Sequence, residues 1–454
     1  MFRTITHIAF VPAAPAVGRS LGSRAAQRGS ALLAALCFAS VLAVAMSSYI
    51  TLCYRTLEFS TRTAQGSRSI ELAEAGMEDA LWAQNQIPSD WTGWTIAGTT
   101  ATKTVTGFSY EGGVTGEIAL SVTSYNSTTG PRTITATGTT RQTDGSTLNR
   151  TLTATSSPAP LFVNAVAGVA GRVRFRTAGS ADSYDSSLGT YASQTPTFSA
   201  VIASLYTVST SATVQLTNAQ IKGYVTTLVT GPSYNTGSSG AKLIGPTTPV
   251  ATRIDTARIT TSPYQPLFEE VDPVGGTTLT SLPARLGTLG ATTEEIFRIT
   301  DATLNGASAV LDVDGPVVLV VSGNLSITNS AKIRINLPDG SLRIHVTGDL
   351  TINGNGIQND TYLPRKLFIV SWQSYDSYGM DTTTPFYGVI YTPDSSFTVA
   401  QSQTIYGAIV AKAVTFALTK SPVFHYDVSL RNTVLPGVKT PYAVSDLRET
   451  TSGG

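Results

Sequence analysis

VVLVVSGNLSIT, Val317–Thr328, and LRIHVTGDLTIN, Leu342–Asn353, are two copies of one unit, aligned with VSGNL over VTGDL. A second pair, FYGVIYTPDSSFTV from Phe386 and IYGAIVAKAVTFAL from Ile405, echoes it. Each unit reads as strand, tight turn, strand, with apolar β-branched runs broken by Gly, Asn or Asp at the corners. Units of about 20 to 25 residues stack as coils, so this region is expected to be a right-handed parallel β-solenoid. A two-sheet sandwich is the alternative. The last unit, SPVFHYDVSLR, sets Phe424, Tyr426 and Val428 on one face and is expected to cap the stack.

Upstream, Leu161 to about Thr300 is the least regular stretch, with short strand-like pieces at Gly171–Arg176 and Val214–Thr217 between loops such as TGPSYNTGSSG. DSYDSSLGTY, Asp182–Tyr191, carries two acids three apart but lacks the alternating ligands and terminal bidentate Glu of a calcium loop. Pro158 and Pro160 mark a boundary. Before them, Lys103–Glu111, Gly116–Tyr125, Arg132–Arg141 and Thr147–Thr155 alternate apolar and polar residues and read as a four-stranded antiparallel meander. So small a sheet needs a cover. Trp91 and Trp94, at the entry to it, are expected to fill the core rather than to stack on a sugar.

The cover is the helix that precedes it. Ser30–Ile50, SALLAALCFASVLAVAMSSYI, is uncharged, lies between Arg28 and Arg55, and at about 1.5 Å per residue is long enough to cross a bilayer. Leu36, Phe38, Val44 and Ile50 belong to this span. A cleaved secretory segment, with an apolar run of about 7 to 15 residues, fits less well. Beyond it the helix continues to Gln86: Ile70, Ala73, Met77, Ala80 and Leu81 share a face, Glu71, Glu74, Glu78 and Asp79 lie mostly elsewhere, and Pro88 ends it. Gly66 and Gly76 are its weak points. Ahead of the span, residues 1–28 hold Arg3, Arg19, Arg24 and Arg28 with no acid, a leader that orients the N-terminus inward and the bulk of the chain outward from a bacterial inner membrane. The expected domains are therefore a leader (1–29), the helix (30–87), a meander (88–158), a solenoid-like region (159–436) and a flexible tail (437–454).

QRGSALLAALCFASVLAVAMSS followed by SRSIELAEAGMEDALWAQNQ resembles the N-terminal region of type IV pilus minor pilins of the PilX-like group. The resemblance implies cleavage by a prepilin peptidase after Gly29, Ser30 as the new N-terminus, and partnership with other pilin subunits through the helix. LAEAG, Leu72–Gly76, matches a segment such proteins carry near the end of the helix. Major pilins have a Glu five residues into the mature chain that meets a neighbour's N-terminal ammonium; here that residue is Ala34. The departure favours a subunit at the tip of a pilus or secretion pseudopilus over a bulk subunit. DSYDS and the final strings also resemble those of uncharacterised solenoid-like domains behind PilX-like N-termini.

With 30 Lys plus Arg against 29 Asp plus Glu, the net charge is +1, and no nucleic-acid partner is expected. Charged residues are only 13%, which suits a strand-rich exterior. The two cysteines, Cys37 and Cys53, sit too far apart on one helix to pair. No metal or cofactor is expected. His7, His345 and His425 lie in three contexts, no GxSxG is present, and His345 is read as a solvent-facing or hydrogen-bonded strand residue. Asp312 and Asp314 are the best carboxylate pair, at i and i+2, about 7 Å apart and so near glycosidase separations. They motivate an alternative, a tethered polysaccharide hydrolase or lyase, in which Arg334 or Arg343 would face them in a groove. The main expectation is not an enzyme but a surface subunit or adhesin that presents its β-rich exterior to a glycan or to a ligand on a neighbouring cell.

Overall fold

The protein is described from a computed structural model that covers residues 26–86, 89–127, 130–176, 178–207, 212–229, 231–234, 240–267, 273–371, 378–417, 421–433 and 441–450. His7, Arg3, Arg19, Arg24 and Pro88 lie outside the described residues.

Helix α1, Ala26–Asn85, is 60 residues and about 90 Å long. Every residue from Leu32 to Ala64 is exposed, and from Gln65 onward the burial becomes one-sided. Leu72, Ala73, Met77, Ala80 and Ala83 turn inward, while Glu71, Glu74 and Glu78 stay in solvent. The inward face lies on an antiparallel sheet of β1 (Thr95–Ala97), β2 (Thr100–Ser109), β3 (Thr115–Thr123), β4 (Arg132–Arg141) and β5 (Thr147–Pro158). In β3 every second residue is buried, which brings Ile118, Leu120 and Val122 under the helix. Trp94 is buried in this core and Trp91 packs edge-on against it at 5.1 Å.

Two glycines allow the close approach. A Cβ on Gly76, within LAEAG, would stand 2.6 Å from Ile118 and Leu120, and one on Gly138 would overlap the Ser69 carbonyl and come within 2.7 Å of the Ala73 nitrogen. The helix backbone rests almost directly on β4, so Gly76 is a contact point as well as a weak link. Ser69 Oγ seals the contact by donating to the Leu148 carbonyl at 3.0 Å.

The expectation of a flexible tail from 437 is corrected within the described residues. Tyr442–Thr450 is a strand that pairs antiparallel with β5 as the sixth strand of the sheet. Its side chains are mostly exposed, so backbone hydrogen bonds to the free edge of β5 hold it. Tyr442 N donates to Asn85 Oδ1 at the end of α1, and Ala159 N donates to the Pro441 carbonyl. The solenoid is thus inserted between two neighbouring strands of the helix-backed head, entered and left through adjacent segments.

Among the described residues, the inserted region has three faces, parallel sheets of 14, 9 and 4 strands. One coil runs Pro316–Val321, Leu325–Thr328, Lys332–Ile335, and the next runs Ser341–Val346, Leu350–Asn353, Gly356–Asn359, each strand in parallel register with its counterpart. The repeat also extends further back than VSGNL, because Ala302–Asn305 pairs with Leu325–Thr328. At the corner, Asp301 Oδ1 accepts from Asn324 N and Asn324 Oδ1 accepts from Asp349 N, both at 2.8 Å, which explains the Asn or Asp after each Gly.

Stacking order departs from chain order. Val166–Gly168 pairs with Ile409–Ala411, Val173–Phe175 with Val414–Phe416, and Ser180–Tyr184 with Val423–Asp427. The earliest strands therefore sit on the latest ones, and the chain crosses to the far end before winding back. The expectation that Ser421–Arg431 caps the stack is corrected: Val423–Asp427 is internal, flanked by Thr404–Gly407 and Ser180–Tyr184. Phe424 and Tyr426 are fully buried, whereas Val428 is only half-buried.

Candidate functional site

The first candidate is the bare half of α1. Phe38 is 81% exposed, Val44 66% and Ile50 51%, and Leu36 is exposed with them. Burial of such side chains is worth about 1.5–3 kcal/mol each, so this surface is made for a non-aqueous neighbour. Its threonines already have partners: Thr51, Thr56, Thr61 and Thr63 donate to carbonyls four residues back at 2.8–2.9 Å. The segment is one helix long and apolar enough to span a membrane. Gly29 and Ser30 fall in its first turns, Ala34 is exposed, and Cys37 and Cys53 are free.

The second candidate is the acid pair. Arg285, Asp312, Arg334 and Gln358 are in register across the third face of the solenoid. Asp312 Oδ1 accepts from Arg334 Nε at 2.7 Å and Oδ2 lies 3.7 Å from Arg285. Asp314 accepts from Arg285 at 2.6 Å and from Asn336 at 2.7 Å. All four carboxylate oxygens are thus engaged along a charge ladder, with Asp312 held below the ordinary carboxylate range chiefly by the Arg334 hydrogen bond. Arg343 lies on another face, paired with Glu294 at 2.6 Å. His345 is buried on the same strand as Arg343, so it does not face solvent.

The third candidate unites two strings that stand far apart in the sequence. His425 Nδ1 meets Asp182 Oδ1 at 2.6 Å, and Tyr191 donates to Asp182 Oδ2 at 2.9 Å. The imidazole sits between Tyr191, 3.7 Å between ring centres, and Tyr406 at 4.8 Å; Tyr406 in turn stacks on Tyr387 at 4.1 Å. Next to it, Asp427 accepts from the Ser186 and Ser429 backbone nitrogens. Both oxygens of Asp182 are occupied and rings flank the imidazole, so the cluster bolts the early strands to the late ones. Burial raises the Tyr184 and Tyr191 phenols and pushes Tyr426 up to about 12. Beside it, an open groove of about 600 Å³ is lined by Asp185, Ser187, Arg365 and Arg431. Among the described residues, no group of three or more His, Cys, Asp and Glu side chains is placed to hold a metal.

A fourth feature was missed in the sequence: Arg174 lies between the inward Val173 and Phe175 on one short strand, and Arg172 and Arg176 flank that strand. The RVRFR spacing is the signal that would have found it.

Residues 299–433 match a family described as a domain of unknown function, DUF7305. This covers the later coils and stops short of the strands that dock on them. No curated protein matches the chain. A solved structure, the competence-associated pilin ComZ from Thermus thermophilus, aligns with a TM-score of 0.24 and 11% identity over 85% of this chain and 97% of that one.

Proposed function

We propose that the protein is a membrane-anchored, non-enzymatic pilin-like subunit of the PilX-like minor type, belonging to a type IV pilus or secretion pseudopilus, and that it carries its solenoid outside the inner membrane. The observation that carries this reading is the change at Gln65: the same helix is bare and apolar before it and gripped by a sheet after it. A bare half suits storage in lipid followed by packing among other such helices, and a gripped half fixes the head to it. Cleavage after Gly29 by a prepilin peptidase would free Ser30 at the membrane edge. Ala34 offers no carboxylate to a neighbour's ammonium, and a solenoid inserted into the head is too bulky to tile a shaft, so the subunit belongs at an end.

The test is to label the solenoid and inspect sheared filaments. Label at filament ends supports the reading, label along the whole shaft removes the end position, and label confined to the cell membrane leaves an anchored surface adhesin. N-terminal sequencing reports cleavage independently, with Ser30 as the expected first residue.

A further inference from the structure

The arginine row lies on the second face of the solenoid, at the end where the early strands dock. Arg174 is the middle residue of the strand Val173–Phe175, with Arg172 and Arg176 directly before and after that strand, each about 6.6 Å from Arg174 in extended chain. Arg174 is in register with Thr415 on one side and Gln215 on the other, and the rows continue to Thr398 and Ser233. The strands Phe397–Val399, Val414–Phe416, Val214–Leu216 and Ser233–Tyr234 contribute no acid, and Lys412 is exposed at the turn before the second of them. Burial, and then the charges of Arg172 and Arg176, hold the Arg174 guanidinium below its ordinary value. Its Nε is buried with no hydrogen-bond partner among the described residues. A half-exposed cation set between two others, with one buried donor unspent, is a cost that folding alone does not recover.

We propose that this strip binds an acidic polysaccharide, with Arg174 and Arg176 engaging carboxylates of successive uronate sugars, Arg172 adding positive charge beside them, and Thr398, Thr415, Gln215 and Ser233 hydrogen-bonding sugar hydroxyls. Planar guanidinium groups match carboxylates bidentately. The outward positions of the five strands carry no aromatic ring, and base stacking is what a single-stranded nucleic-acid groove requires. The proposal does not depend on filament entry, so its failure would leave the pilin-like reading standing.

The experiment uses the full chain in detergent, with immobilised polygalacturonate as the probe, neutral dextran as a control and duplex DNA as a competitor. Polygalacturonate is expected to bind, more weakly at about 200 than at 50 mM salt, and dextran not to bind. Arg174→Gln is expected to weaken binding about tenfold or more, a change of about 1.4 kcal/mol, while leaving the melting temperature unchanged or higher because a self-repelling charge has gone. Absence of polygalacturonate binding, equal binding of dextran, unchanged binding by Arg174→Gln, a lowered melting temperature in that variant, or preferential displacement by DNA would each overturn it.

Discussion

The head and the solenoid bury their strands in different ways. In the head, β3 and β4 are buried at every second position, because one side of the sheet faces α1 and the other faces solvent. In the solenoid, Pro316–Val321 and Leu367–Val370 are buried almost throughout. The inward side fills the coil and the outward side is covered in part by the incoming chain, where Phe162 packs on Phe368 and Tyr391. The head therefore depends on one helix, and the solenoid on many coils plus the strands that return to its end. A change in one region should leave the other folded.

Phe416→Ala tests this most severely. Phe416 is fully buried and stacks on Phe175 at 4.3 Å, joining late strands to early ones. A loss of about 3–5 kcal/mol is expected, seen by hydrogen exchange as opening of Val173–Phe175 and Val414–Phe416 with α1 still protected on β4. Gly138→Ala should do the reverse at about 2–3 kcal/mol, because the new Cβ enters the Ser69 carbonyl; exchange should rise in β4 and α1 while the coils stay protected. Simultaneous opening of both regions by either variant would contradict their independence.

Tyr442→Ala acts at the junction. The Arg132 guanidinium lies 4.0 Å from the Tyr442 ring centre, and Tyr442 Oη donates to the Ser127 carbonyl. A loss of about 1–2 kcal/mol is expected, with exchange rising first in Tyr442–Thr450.

Asp312→Asn should have the smallest effect, about 1 kcal/mol or less, because Arg285 is well exposed. The folded carboxyl titrates below its ordinary value of 3.8, so its contribution is present above that pH and is lost as pH falls through the lowered value. Denaturant titrations should find the variant less stable at neutral pH and converging on the parent below about pH 4.

Local patterns made much of this legible. β4 runs over Arg132–Arg141 as its alternation indicates, and the one-sided half of α1 follows its helical spacing. The terminal strand was hidden because Tyr442–Thr450 buries little, so no apolar alternation marks it. The Asp312 ladder was hidden for another reason: Arg285 and Arg334 become its neighbours only through coil stacking. Asp182 and His425 were each visible within a distinct string, but their meeting was not, since it needs the early strands to return to the last coil.

By itself, the sequence determined the span, the amphipathic cover, the meander and the coil unit, because each is written in a short period that neighbouring residues satisfy among themselves. Only the tertiary structure decided that the solenoid is an insertion in the head, that its first strands lie upon its last, and that Arg174 is flanked by strands that bear no acid. Parallel strands take partners from distant coils, and which coils meet is settled by packing such as Phe175 on Phe416, a choice that no local period records.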